Sequence, residues 1–133
     1  MASVQLDGTQ QLSEFLHASL SQSFEWGHRD CALWASDWIK AKTGKDPGAP
    51  LRGQYSTKEE CERITVPYGG VMACVCELMK DFPVTKTPQE GDIGVIRTPV
   101  GPSVAVMTPR GWAWKSERGI AIVQASHVIA WTI

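Results

Sequence analysis

Much that marks the simpler functional classes is missing from this sequence. Its 133 residues carry 13 basic and 14 acidic side chains, a net charge of −1. With no basic stripe and no run of like charge, a nucleic-acid partner is not expected. No apolar stretch approaches the roughly 20 residues that span a bilayer, so no membrane role is expected either. The opening residues, Met1-Ala-Ser-Val-Gln-Leu-Asp-Gly8, lack a basic head followed by an apolar run. They do not read as a signal peptide, and synthesis and residence in the cytoplasm follow as the expectation. Cysteine is sparse: Cys31, Cys61, Cys74 and Cys76. There is no Cys-x-x-Cys pair and no Cys/His cluster, so neither zinc nor any other cofactor is expected. A reducing compartment disfavours disulfides. Cys61, Cys74 and Cys76 read as small packing residues, with Cys74 and Cys76 on different faces of one helix.

What is present suffices for a core. Hydrophobic residues make up 43% of the chain and six are tryptophan. With no linker, repeat or low-complexity segment, a single domain over 1–133 is expected. Leu12, Phe15, Leu16 and Leu20 recur at helical spacing within 9–22, with Thr9 as a candidate cap and His17 off the apolar face. A second helix is predicted from Asp30 to about Thr43, ending at Gly44. Its stripe of Cys31, Trp34, Ala35 and Trp38 reads as core and would hold Cys31 rigidly. Asp46-Pro-Gly-Ala-Pro50 marks a loop. Thr57 and Glu60 form a capping-box pattern for a third helix, broken by Pro67 and Gly69-Gly70. A fourth helix is predicted over Val71–Lys80. After Pro88 the pattern changes to short β-rich runs: 92–97, 103–107, 111–115, 119–123 and 127–133. Glycine and proline separate them, as in an antiparallel sheet. Helices first and strands after predict an α+β fold.

The most informative stretch is Trp26-Gly27-His28-Arg29-Asp30-Cys31, a loop that runs into a helix. Asp30 is a favoured N-cap residue. A cysteine in the first helical turn lies where free backbone N–H groups and the macrodipole favour an anion. That setting can make a thiol nucleophilic near neutral pH. Against this, Asp30 adds like charge beside Cys31, which raises a thiol pKa, and Arg29 is a nearby cation that could offset it.

Asp30-Cys31 at a helix start, then Gly91-Asp92-Ile-Gly-Val-Ile96, then Ser103-Val-Ala-Val-Met107 resembles the NlpC-type branch of the papain-like hydrolases, the bacterial and phage cell-wall peptidases. More closely, the chain is similar to small phage proteins with Phe-x-Trp-Gly-x-x-Asp-Cys, a Leu-Arg-Gly-x-Tyr loop, Gly-Asp and a C-terminal Ala-Trp strand. Phe24, Trp26, Gly27, Asp30, Cys31, Leu51, Arg52, Gly53, Tyr55, Gly91, Asp92, Ala130 and Trp131 reproduce that order. The resemblance implies a papain-like NlpC-type domain, made in the bacterial cytoplasm and carried in the virion tail. It makes Cys31 the candidate nucleophile and puts a histidine base where this chain has Ser103. A serine cannot accept a thiol proton at neutral pH.

His127 and His28 are the alternative bases. Each also reads as a surface or edge histidine, and that reading is adopted. Asp92 reads as a turn residue that opens a strand. Trp26, Arg52 and Tyr55 are candidate binding residues; Arg52 is either a solvated loop charge or a contact into the groove beside Cys31. Trp112, Trp114 and Trp131 alternate on strands, and any exposed on one face would suit a partner.

Three functions follow as expectations. The first is a phage tail-tip or tail-assembly protein, its peptidase chemistry impaired by Ser103, with other tail proteins as partners. The second is an active cysteine hydrolase, a peptidoglycan endopeptidase, in which Cys31 attacks and the helix-start N–H groups hold the oxyanion. The third is a plain cytoplasmic binding module.

Overall fold

The computed structural model describes residues 8–133 of the chain. Four α-helices precede five strands: α1 (Gly8–Ser19), α2 (Cys31–Thr43), α3 (Lys58–Thr65), α4 (Val71–Leu78), then β1 (Ile93–Thr98), β2 (Gly101–Thr108), β3 (Gly111–Ser116), β4 (Gly119–Val123) and β5 (His127–Trp131). The fold is α+β. The strands form one antiparallel sheet ordered β4-β3-β2-β1-β5. Four strands meander, and the last returns to pair with β1.

The caps explain where the helices start and stop. Asp30 accepts from the Leu33 N–H at the start of α2, and Gly44 ends it in the left-handed region. Thr57 accepts from the Glu60 N–H, while the Glu60 carboxylate reaches back to the Ser56 N–H. The capping box is thus closed on the residue before Thr57. Helix α1 ends at Ser19, earlier than the apolar spacing predicts, and Leu20 is 70% exposed. The Thr9 cap lies outside the described side chains.

Helix α2 lies across one face of the sheet. Trp34, Ala35, Trp38 and Ile39 pack with Ile93, Val95, Val104, Val106, Ala113 and Trp131, and Leu12 of α1 joins them. Truncating either α2 tryptophan to alanine typically costs about 3–5 kcal/mol. Each indole also finds a hydrogen-bond partner. Trp34 Nε1 donates to Ser19 Oγ at 2.9 Å, and Trp38 Nε1 to the Gly91 carbonyl at 2.7 Å. The helix that carries Cys31 is therefore pinned at two points.

A second apolar cluster is built from Ile96, Ala105, Trp112, Trp114 and Ala130. Gly94 makes room for it: a Cβ there would stand 2.5 Å from the Trp112 ring. The three strand tryptophans are all buried. None of the three is therefore available to a partner at the surface.

Strands β2 and β3 pair only at Val106–Ala113, Met107–Trp112 and Thr108–Gly111. The N-terminal part of β2 and the C-terminal part of β3 are unpaired with each other. A cavity opens at this split, lined by Pro102 and Ser103 of β2 and Trp114, Lys115 and Ser116 of β3.

Candidate functional site

Two loops fold against each other to place Cys31. Gly27 adopts φ +83°, and a Cβ on it would fall 1.9 Å from the Tyr55 carbonyl oxygen. Only glycine permits that approach. The Gly53 N–H then donates to the Gly27 carbonyl at 2.8 Å. Asp30, 2% exposed, accepts from the Gly27 N–H, the Leu33 N–H and the Tyr55 hydroxyl. One buried carboxylate thus caps α2 and ties both loops to it, with its acceptor capacity well used.

Beside this knot lies a cavity of about 600 Å3. Its apolar wall includes Phe24, Trp26, Leu51, Tyr55, Val75 and Trp114. Cys31, Cys61 and Cys74 all reach it, as do Ser103 and Lys115. Burial pushes the Cys31 thiol from its ordinary 9.0 up to about 12. The Val104 N–H opposes that rise, Asp30 and Cys61 reinforce it, and the Ala32 N–H opposes it weakly. The helix start does act on the sulfur, but desolvation outweighs it. The helix start alone therefore does not set the state of the Cys31 thiol. Cys61 is raised to about 11, chiefly by burial and then by Asp30, against a hydrogen bond from Tyr55. Burial also raises Cys74. The Tyr55 hydroxyl is raised by burial first and by Asp30 second, and stays protonated.

Ser103, at the expected histidine position, lines the cavity with Cys31, whereas the candidate bases His127 and His28 do not. Ser103 is buried in the cavity wall. Its hydroxyl lies 3.1 Å from Thr98 Oγ1 and donates to the Gly101 carbonyl at 3.2 Å. His127 shares a cross-strand row with Ser103 through Ile96, two strands away. That separation is about 10 Å, and the imidazole packs edge-on to Trp112. His28 is exposed in its loop. No histidine is among the residues lining the cavity.

Of the three candidate binding residues, Trp26 and Tyr55 line the cavity and Arg52 does not. Arg52 bonds Asp46 through Nε and Nη2 at 2.8 and 3.0 Å, and Asp37 through Nη2 at 2.7 Å. Two carboxylates claim its guanidinium, so the groove contact is corrected to a loop-to-helix clamp. Arg29 is likewise engaged, with the Ser23 carbonyl and Glu25. Asp92 accepts from the Gln89 N–H and, across the fold, from the Ile133 N–H. It closes the turn before β1, as expected, and also anchors the chain end.

Two features escaped sequence reasoning. Cys61 and Cys74 meet Cys31 at one cavity although no spacing rule links them. Lys115, 1% exposed, donates to the Ser19 and Gln22 carbonyls at the end of α1. Its ammonium completes a helix C-terminus, and burial, then Arg29, lowers its pKa. Its alternation with Ala113 on β3, one buried position removed, was the available signal. Among the described residues, no group of three or more His, Cys, Asp or Glu could hold a metal ion, and no helix is long and apolar enough to cross a membrane.

The chain belongs to the family described as Domain of unknown function (DUF6950), whose model matches residues 5–133. No curated protein and no solved structure matches it.

Proposed function

We propose that this chain is a phage tail-tip or tail-assembly protein on an NlpC-like, papain-like scaffold that has lost its peptidase chemistry. It is made in the bacterial cytoplasm and ends in the virion tail, among other tail proteins. The phage assignment rests on the order of motifs from Phe24 to Trp131. The loss of chemistry rests on one observation: Cys31 sits in an apolar cavity with its thiol pushed up to about 12 and no histidine in the lining. A thiol in that state needs a strong adjacent base to act as a nucleophile.

Several motif residues have structural duties that explain their presence without catalysis. Gly27, Tyr55 and Asp30 build the loop knot, Arg52 clamps Asp37 and Asp46, and the Gly91 carbonyl receives Trp38. The scaffold can therefore be retained for shape while the reaction is dispensed with, since a fold does not determine a function.

Two experiments test the reading. Deleting the gene from the encoding phage or prophage should yield particles with absent or defective tails, restored by a Cys31→Ala copy. Normal tails after deletion would remove the assembly role. Purified protein should leave peptidoglycan sacculi intact between pH 5 and 9. Release of peptides that stops in Cys31→Ala would instead establish the hydrolase.

A further inference from the structure

We propose that the outer edge of β4 is a docking edge for a second copy of this chain, which adds its own β4 in antiparallel register and continues the sheet across a two-fold axis. The inference goes beyond the assembly role and does not depend on it.

The two ends of the sheet differ. In the order β4-β3-β2-β1-β5, β4 and β5 are the terminal strands. The chain covers the C-terminal end of β5 itself. Val84 bridges to Trp131, the Thr85 N–H donates to the Ala130 carbonyl at 2.9 Å, and the Thr132 N–H donates to the Pro83 carbonyl at 2.8 Å. Among the described residues, β4 pairs with β3 alone. Alternate residues of an antiparallel strand turn their N–H and C=O groups away from the neighbour, so β4 presents a row of backbone groups to a further strand. The devices that blunt such an edge are missing as well. β4 reads Gly119-Ile-Ala-Ile-Val123, with no charge and no proline, and its register on β3 runs without a bulge.

Side chains add an apolar margin to this backbone. Ile120 and Ile122 share a face with their cross-strand partners on β3, Lys115 and Ala113. Ile122 is 44% exposed. Lys115 holds the Ser19 and Gln22 carbonyls, which sets the turn at 19–22 over the same face, with the exposed Leu20 in it. Apolar groups gathered beside an open strand edge suit a partner that adds a strand.

Symmetry and charge identify that partner. An antiparallel pair about Ala121 sets Ile120 opposite Ile122 of the second copy and Gly119 opposite its Val123. Each copy then supplies the apolar alternation that the other needs, as a two-fold interface requires. Beyond the strand, Arg118 meets Gln124 and Glu117 meets Ala125, so no like charges oppose each other. In-register parallel pairing would set Glu117 against Glu117 and Arg118 against Arg118, which is unfavourable. The edge is five residues long, and a contact of that size gives a weak, concentration-dependent pair.

Sedimentation equilibrium of the full-length protein should show monomer and dimer in exchange, with a dissociation constant on the order of 10–100 µM. Ile122→Lys puts a charge opposite Ile120 of the second copy. With its fold verified by circular dichroism, it should weaken the pair about tenfold or more. A cross-link reads the register directly. Copper–phenanthroline oxidation should join Ala121→Cys chains through position 121, identified by peptide mass mapping, because the two-fold axis brings that position against itself. It should leave Val128→Cys chains, altered on β5, unjoined at position 128. A protein that stays monomeric up to about 500 µM would overturn the proposal. So would a dimer that folded Ile122→Lys leaves intact, or one joined through position 128 and not through 121.

Discussion

Tyr55 donates its phenolic hydrogen to the Asp30 carboxylate, the same group that caps α2. A residue from the loop before α3 thereby fixes the first turn of the helix that carries Cys31. Tyr55→Phe should cost about 1–3 kcal/mol, the penalty of leaving a buried acceptor short of a donor. Asp30→Ala should cost more, because the cap is lost together with the partners of Gly27 and Tyr55. Urea denaturation of the two variants gives the comparison.

Gly27 and Gly44 separate two penalties that are usually confounded. Both have φ near +80°, yet a Cβ at Gly44 meets nothing within 4 Å while one at Gly27 strikes the Tyr55 carbonyl. Gly44→Ala should cost about 1–2 kcal/mol, the strain of left-handed backbone alone. Gly27→Ala should cost more than about 3 kcal/mol or prevent folding. Equal melting temperatures for the two would refute the close approach.

The raised Cys31 thiol has a kinetic consequence. At pH 8 its thiolate is about a thousandfold scarcer than that of a thiol at 9.0. Iodoacetamide should modify Cys31 in the folded protein far more slowly than in urea, as peptide mass mapping would register. Rapid labelling in the folded state would contradict the raised pKa of this half-buried thiol.

The same shift fixes a sign for stability against pH. Between about 9 and 12 the folded chain keeps the Cys31 proton that the unfolded chain releases. The contribution is whole below pH 9 and is lost as pH rises toward 12. Cys31→Ala should therefore lose stability less steeply above pH 9 than the native chain, measured by urea titration at each pH.

Arg52→Ala should destabilise by about 1–2 kcal/mol at pH 7, since its hydrogen-bonded partners are partly exposed. Arg52 foremost holds the Asp46 carboxyl below its ordinary value of 3.8. That contribution is present above this pH and fades as acid protonates Asp46. The gap between native and variant should narrow at low pH; a gap that widens would show that Asp46 is not the partner that matters.

Local chemistry explains which parts of this molecule are legible in the sequence. Asp30 and Gly44 bracket α2 within their own turns, and glycines and prolines punctuate the strands, so these elements can be read directly. The end of α1 cannot, because Ser19 is held by Trp34 and Lys115 from elsewhere in the chain. Leu20 continues the apolar spacing but has nothing to pack on. The order β4-β3-β2-β1-β5 and the split between β2 and β3 depend on distant partners, which no local pattern encodes. The cavity shares that origin. A helix start predicts a lowered thiol pKa, and only the assembled walls around Cys31 show why it is raised.

Lys115 also bears on the order in which the chain is made. Its ammonium and the Ser19 carbonyl are separated by 96 positions. A ribosome building from the N-terminus has released α1 long before β3 leaves the exit tunnel. The end of α1 therefore waits for its cation until β3 has emerged behind it.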